Sequence, residues 1–142
     1  MSGYRVDSHD RHVIAEFRAR GGVVGAPTDL SLLLLHHVGA RSGIERVSPL
    51  AYWHVTDTTV ALLASNRGAP RHPAWYHNLV ANPTTTAEIG TETWTVRARV
   101  AAPDERRELI TRLMQEDHRV AAAVSRTDRE IPVVLLDLVS RI

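Results

Sequence analysis

The sequence predicts an α+β chain that is mainly β, a split β-barrel of about six antiparallel strands with three helices. Three observations carry that expectation. Short apolar or alternating runs recur between turn residues, two pairs of them flank tight turns at 56–58 and at Gly90, and apolar residues at helical spacing follow Asp10 and Pro103. Consecutive hairpins imply an antiparallel sheet, and curling it into a small barrel hides its edges. A length of 142 residues suits one core, so 1–142 is read as a single domain.

The elements follow in order. In 9–20, Val13, Ile14 and Phe17 share one helix face, with Asp7 or Ser8 to cap it and Gly21-Gly22 to stop it. A connector spans 22–29. Residues 30–38 form a continuous apolar run ended by Gly39, short enough for a strand buried on both faces. The runs 47–55 and 59–65 read as a hairpin. An irregular loop, 66–73, leads into a short helix that Pro73 opens and Asn82-Pro83 ends. Residues 84–89 and 91–101 pair around Gly90. A long helix starts at Pro103, with Leu109, Ile110, Leu113 and Met114 inside and Glu108 paired to Arg112 outside. The run 131–139 closes the sheet.

Composition narrows the chemistry. A formal charge of +1 gives no global field for nucleic acid, so any anion site is local. The chain has no cysteine, which removes disulfides, thiolate metal sites and a cysteine nucleophile. All 17 cations are arginine, so a Schiff-base lysine and a Walker-type lysine are excluded, whereas bidentate binding of phosphate or carboxylate is well served. No apolar run nears the roughly 20 residues that span a bilayer, and the polar start lacks a signal-peptide core; a cytoplasmic protein is expected.

Two loops concentrate arginine with small residues: Arg41, Ser42, Gly43 and Arg46 in one, Ser65, Asn66, Arg67, Gly68 and Arg71 in the other. Facing each other at one barrel end, they would form an anion cradle; as separate loops they are solvated turns. Trp75-Tyr76 behind the second loop favours the cradle, because flat apolar faces beside cations suit an aromatic cofactor with a charged tail. The eight histidines do not form a metal set. His36 and His37 are adjacent in a strand and point to opposite faces, and no His-Glu-x-x-His occurs. A Gly-x-Ser-x-Gly elbow and a dinucleotide fingerprint are missing too.

The ordered motifs Gly39-x-Arg41-Ser42-Gly43-x-x-Arg46, Pro49-Leu50, Ala64-Ser65-Asn66, Gly68-Ala69-Pro70-x-His72-Pro73-x-Trp75-Tyr76-His77-Asn78-Leu79 and Ala81-Asn82-Pro83 resemble the deazaflavin (coenzyme F420)-dependent nitroreductase family. The resemblance covers nearly the whole chain. It implies a split β-barrel that binds reduced coenzyme F420 (F420H2) and passes its hydride to a small organic acceptor such as a quinone, enone or nitro compound. By similarity, Arg41, Ser42, Gly43 and Arg46 meet the anionic tail. The ring is expected near Val47, Ser48, Pro49, Leu50, Ala51 and Tyr52, near Leu63, Ala64, Ser65 and Asn66, and near Ala74, Trp75, Tyr76, His77 and Asn78, with Arg71 as a further cation.

Three departures from the family pattern stand out. Ala40 replaces a second basic residue, Ile44-Glu45 replaces Gln-Pro, and Asn66 stands where some relatives have lysine, with Arg67 and Arg71 left to compensate. Nitroimidazole-reducing members carry tyrosines late in the long helix, and 117–124 has none. Ser65 and Tyr52 are the candidate proton donors. The alternatives are a non-catalytic carrier for F420 or an apolar ligand, and flavin mononucleotide as the bound cofactor. No metal, nucleic acid or integral membrane segment is expected. The first helix, with Arg11, Arg18 and Arg20 opposite its apolar stripe, permits peripheral membrane contact, and the chain is expected to be a monomer or homodimer.

Overall fold

The computed structural model describes residues 4–5, 8–24 and 31–142, with side chains described from residue 10 onward. Asp7 and most of the 22–29 connector lie outside the described residues. The elements run β1 (Tyr4–Arg5), α1 (Ser8–Ala19), β2 (Leu32–Val38), β3 (Glu45–Ala51), β4 (Trp53–Thr56), β5 (Thr59–Leu63), a 3-10 turn (Asn66–Gly68), α2 (Ala74–Ala81), β6 (Thr84–Ile89), β7 (Glu92–Val100), α3 (Pro103–Glu116), α4 (His118–Ser125) and β8 (Val133–Arg141). One sheet joins the strands in the order β1-β3-β2-β6-β7-β8-β5-β4, antiparallel except for the β1–β3 edge. Strands β3 and β4 lie towards opposite ends of that order, yet only Tyr52 separates them in sequence. The sheet therefore curls until its two ends meet at Tyr52, a barrel split along a seam that no ladder crosses.

The expected architecture holds, but among the described residues the counts change to eight strands and four α-helices. The run expected as one strand over 47–55 breaks at Tyr52: its N–H still donates to the Ser31 carbonyl at 3.1 Å, one step past the Leu32–Ala51 pair, while Trp53 already pairs with Ala61 of β5. The long helix breaks at Asp117, which is extended at φ −145° and ψ 111° and whose carboxylate caps α4 by accepting from the Arg119 N–H at 2.9 Å. A two-residue parallel edge strand, β1, carries no alternation that periodicity could detect. Arg112 differs as well. It donates to Glu116 at 3.2 Å rather than pairing with Glu108, and Met114 stays 39% exposed.

Burial follows the period of each element. In β2, Leu33, Leu35 and His37 face the barrel interior and Leu34 faces out, so the strand is buried on both sides as its continuous apolar run requires. The interior is filled by Leu33, Leu35, Val60, Leu62, Leu79 and Leu136. Outside, α1 lays Ile14 and Phe17 on Leu34 and Val47, and its Arg18 clamps Glu88 at 2.8 Å. That packing uses the stripe that membrane contact would need. On another face, Leu109, Ile110 and Leu113 of α3 and Val120 of α4 cover Ala61, Val133 and Leu135.

Candidate functional site

The turn between β2 and β3 is built to expose backbone and cations. Gly39 donates to the Ile44 carbonyl and accepts from the Gly43 N–H, both at 2.9 Å, while Ser42 Oγ accepts from the Ile44 N–H at 3.1 Å. A Cβ on residue 39 would sit 2.3 Å from Ser42 Oγ and displace the hydroxyl that accepts from Ile44, and Gly43 has φ +69°, the left-handed region that favours glycine. Against it stands the N-terminal half of α2. Gly39, Ala40, Arg41, Ser42 and Arg46 together with Ala74, His77 and Asn78 enclose a pocket of about 500 Å³. Arg41 is exposed and Arg46 half-buried, so two guanidiniums border it.

A second cavity, about 690 Å³, lies on the other side of the α2 N-terminus. Its walls are Ser48, Pro49, Leu50 and Ala51 of β3, Leu32, Trp53, Leu63, Ser65, Asn66, Arg67, Pro73 and Trp75, with Asp10 of α1 and Arg119, Ala123 and Arg126 from the α4 side. Apolar Leu32, Pro49, Leu50, Leu63 and Trp75 share these walls with Ser48, Ser65, Asn66 and three arginines, a mixed lining that suits a flat organic molecule carrying polar groups.

The loop that brings Ser65 there is held from below. The Arg129 guanidinium donates to the carbonyls of Ser65 (2.8 Å), Ala69 (3.2 Å) and Ala64 (3.3 Å), and also to His72 Nδ1. Burial and the neighbouring Arg129 and His77 push the His72 pKa down, which keeps that ring neutral and able to accept. Asn66 and Arg67 are both left-handed, at φ 50° and 56°, and Asn66 Nδ2 donates to the Arg71 carbonyl at 2.9 Å. At Gly68, φ is +82° and a Cβ would lie 2.9 Å from Arg126 Cβ, so the loop and α4 touch through a position that only glycine fits.

Inside the barrel, β2 and α2 meet through polar groups. His37 is 3% exposed and Asn78 6%. Asn78 Oδ1 accepts from the Ala40 N–H at 2.9 Å, Asn78 Nδ2 lies 2.9 Å from His37 Nδ1, and His37 Nε2 lies 2.9 Å from Ser48 Oγ. Burial, then the charge of Arg46 and the nearby His36, lowers the His37 pKa to about 4. The two adjacent histidines do point to opposite faces: His36 contacts Glu45 at 3.0 Å and Glu88 at 2.7 Å.

Of the expected tail and ring residues, Arg41, Ser42, Arg46, Ala74, His77 and Asn78 converge on the smaller pocket. Ser48, Pro49, Leu50, Ala51, Leu63, Ser65, Asn66 and Trp75 converge on the larger cavity. Six others stand off both walls. Gly43 completes the turn, Val47 packs under α1, and buried Ala64 lends its carbonyl to Arg129. Arg71 is exposed and also lends only a carbonyl. Tyr76 clusters with His72 and His77, tilted to one and edge-on to the other, with ring centroids 4.9 and 5.3 Å away. Tyr52 sets its ring edge to His54 at 5.4 Å, and burial raises its pKa. Sequence reasoning missed Arg119, Ala123 and Arg126, although their spacing of four and three marks one helix face. Among the described residues, no helix is long and apolar enough to cross a membrane, and no group of three or more His, Asp or Glu gathers to hold a metal.

Comparison with known proteins matches this geometry to a family. The model of the F420H(2)-dependent quinone reductase family matches residues 9–137. The chain is 41% identical over 105 residues to a Mycobacterium tuberculosis protein whose name carries that activity, covering 73% of this chain and 87% of the relative. It is 37% identical over 117 residues to an F420H(2)-dependent quinone reductase of the same species, covering 80% and 76%. Among solved structures, an F420-H2 dependent reductase (FDR-A) superposes with a TM-score of 0.65 at 32% identity, over 75% of this chain and 93% of that one. A domain-swapped dimer superposes with a TM-score of 0.67 at 28% identity, over 89% and 96%. With its turn of arginines, its cavity of mixed apolar and polar walls and its family match taken together, the chain belongs to the F420H(2)-dependent quinone reductases.

Proposed function

We propose that the chain is a reductase that takes reduced coenzyme F420 as hydride source and a quinone-type molecule as acceptor, with the coenzyme's anionic tail in the smaller pocket and its ring in the larger cavity. The observation that carries this reading is the pairing of the two spaces across the α2 N-terminus, one bordered by Arg41 and Arg46, the other floored by Pro49, Leu50 and Trp75. The donor set fits the group: guanidiniums and a serine hydroxyl answer phosphate and carboxylates, and about 690 Å³ suits a flat ring with a small partner.

When bound, the coenzyme supplies the hydride. The protein's part is placement and electrostatics. Arg41 and Arg46 anchor charge, Trp75 and Leu50 exclude water from the cavity, and the Arg129 clamp fixes the height of Ser65. Of the two proton-donor candidates, Ser65 lies on the cavity wall and Tyr52 outside it, with burial keeping its phenol protonated. Ser65 is thus the nearer hydrogen-bonding group.

Fluorescence titration with coenzyme F420 and, separately, with flavin mononucleotide tests the cofactor. Tighter F420 binding is expected; tighter flavin binding overturns the assignment. Single-turnover oxidation of bound F420H2 by a panel of quinones then separates an enzyme, which accelerates it, from a carrier, which does not. The domain-swapped neighbour supports a homodimer, which light scattering reads directly.

A further inference from the structure

The interior polar chain runs in one direction, and a backbone group sets that direction. The Ala40 N–H can only donate, so the Asn78 atom it meets is the carbonyl oxygen, and the amide nitrogen therefore faces His37. An amide nitrogen also only donates. His37 Nδ1 is accordingly the bare nitrogen, the ring proton sits on Nε2, and Nε2–H donates to Ser48 Oγ at 2.9 Å. With its oxygen accepting from His37, the Ser48 hydroxyl keeps its own hydrogen for another partner. Among the described residues, His37 is the only hydrogen-bonding partner of the Ser48 side chain, and the space beside Ser48 is the larger cavity, whose wall it forms.

We propose that Ser48 is a hydrogen-bond donor to a carbonyl oxygen held in the larger cavity, and that Asn78 and His37 are positioning residues that point its hydroxyl there. The inference rests on the reductase reading for the identity of that oxygen, which belongs either to the coenzyme ring or to the quinone-type acceptor. Two features argue against mere filling of the core. The other inward residues of β2 are leucines, Leu33 and Leu35, whereas the ring at 37 meets a polar group at each of its two nitrogens. The chain also ends on a cavity wall, and it begins on the turn that carries Arg41, so it spans the two pockets. A change of turn geometry at Ala40 reaches Ser48 through rigid, fully buried groups.

Three measurements test this. In unliganded protein with 15N-labelled imidazoles, long-range proton–nitrogen correlation at pH 7 should find His37 protonated on Nε2; protonation on Nδ1 overturns the proposal and leaves the reductase reading standing. Ser48→Ala should weaken a ligand by about five- to tenfold, and Ser48→Thr, which keeps the hydroxyl, should restore it. A rise in the Kd of oxidised coenzyme F420 assigns the oxygen to the coenzyme ring. A rise in quinone KM with that Kd unchanged assigns it to the acceptor. No change in either beyond twofold overturns the proposal.

Asn78→Asp supplies the positioning control. Aspartate cannot donate to Nδ1, so the ring proton moves to Nδ1, Nε2 becomes an acceptor, and the Ser48 hydrogen turns away from the cavity. The imidazole spectrum should switch tautomer, and the added loss from Ser48→Ala should shrink to under twofold in this background. Full additivity of the two changes overturns the relay. Wild-type protein that binds neither coenzyme F420 nor a quinone, while still reporting the Nε2 tautomer, overturns the ligand assignment and the reductase reading together.

Discussion

His37 ties the fold to a narrow range of protonation. Its pKa is about 4 against an ordinary 6.5, so the folded state holds the ring neutral while the unfolded chain protonates it between those values. The contribution is present in full above pH 6.5 and lost as pH falls towards 4. That gap corresponds to roughly 3 kcal/mol. An NMR titration of the ring should find a midpoint near 4, and urea denaturation should become easier from pH 7 to 4; a midpoint near 6.5 would contradict the burial argument. Sequence alternation was enough to place His36 and His37 on opposite faces. The partners were not legible, because Asn78 is 41 residues away and nothing local marks it. Arg129 is a similar case: it looks like one more solvated arginine until the 64–72 loop folds over it. Arg129→Ala should cost about 2 kcal/mol by leaving several carbonyls short of a donor, and should raise the Ser48-independent mobility of Ser65 in relaxation measurements.

At the level of elements, the break between α3 and α4 is a single carboxylate's work. Asp117 accepts from the Arg119 N–H, from the Arg119 guanidinium and from Trp53 Nε1 at 3.0 Å. Those bonds, Arg119 first, hold its pKa well below 3.8, so its stabilisation is present above that value and lost as pH falls below it. Asp117→Ala should cost about 1–2 kcal/mol in denaturant melts and alter Trp53 fluorescence, because the cap and the indole partner go together. Gly68→Ala should cost a similar amount, about 1–2 kcal/mol, since a side chain must adopt φ +82° against Arg126. The helix over 103–116 and both hairpins were readable from periodicity and turn residues. The two breaks, at Tyr52 and Asp117, were not: at Tyr52 the chain passes from the β2 ladder to the β5 ladder, a long-range change of partner, and Asp117 caps a helix with neither Gly nor Pro to mark the boundary.

Over the whole molecule, a formal charge of +1 leaves anion binding to local groups of arginines, Arg41 and Arg46 at the smaller pocket and Arg67, Arg119 and Arg126 at the larger cavity. Arg41→Ala should weaken coenzyme F420 binding by about 1.5–3 kcal/mol if the guanidinium makes a charge-assisted bond to the tail. Raising salt should weaken wild-type binding in parallel and affect the Arg41→Ala protein less. Equal salt sensitivity in both would remove Arg41 from the tail contact. The two-pocket plan was half legible. Loop composition and motif spacing nominated both walls contributed by 39–52 and 63–78, whereas the α4 wall was hidden, since Arg119 and Arg126 join the cavity through long-range packing, Arg126 against Gly68 and Arg119 through Asp117, which also binds Trp53.

The union of β3 and β4 through one residue has a mechanical corollary. A one-residue link has no slack, so the covalent chain itself closes the seam that no ladder crosses. Ser48 to Ala51 lie next to that closure, and the arginine-bearing turn lies at the other end of β3. The chamber wall is thus tethered by backbone on the side where strand pairing stops.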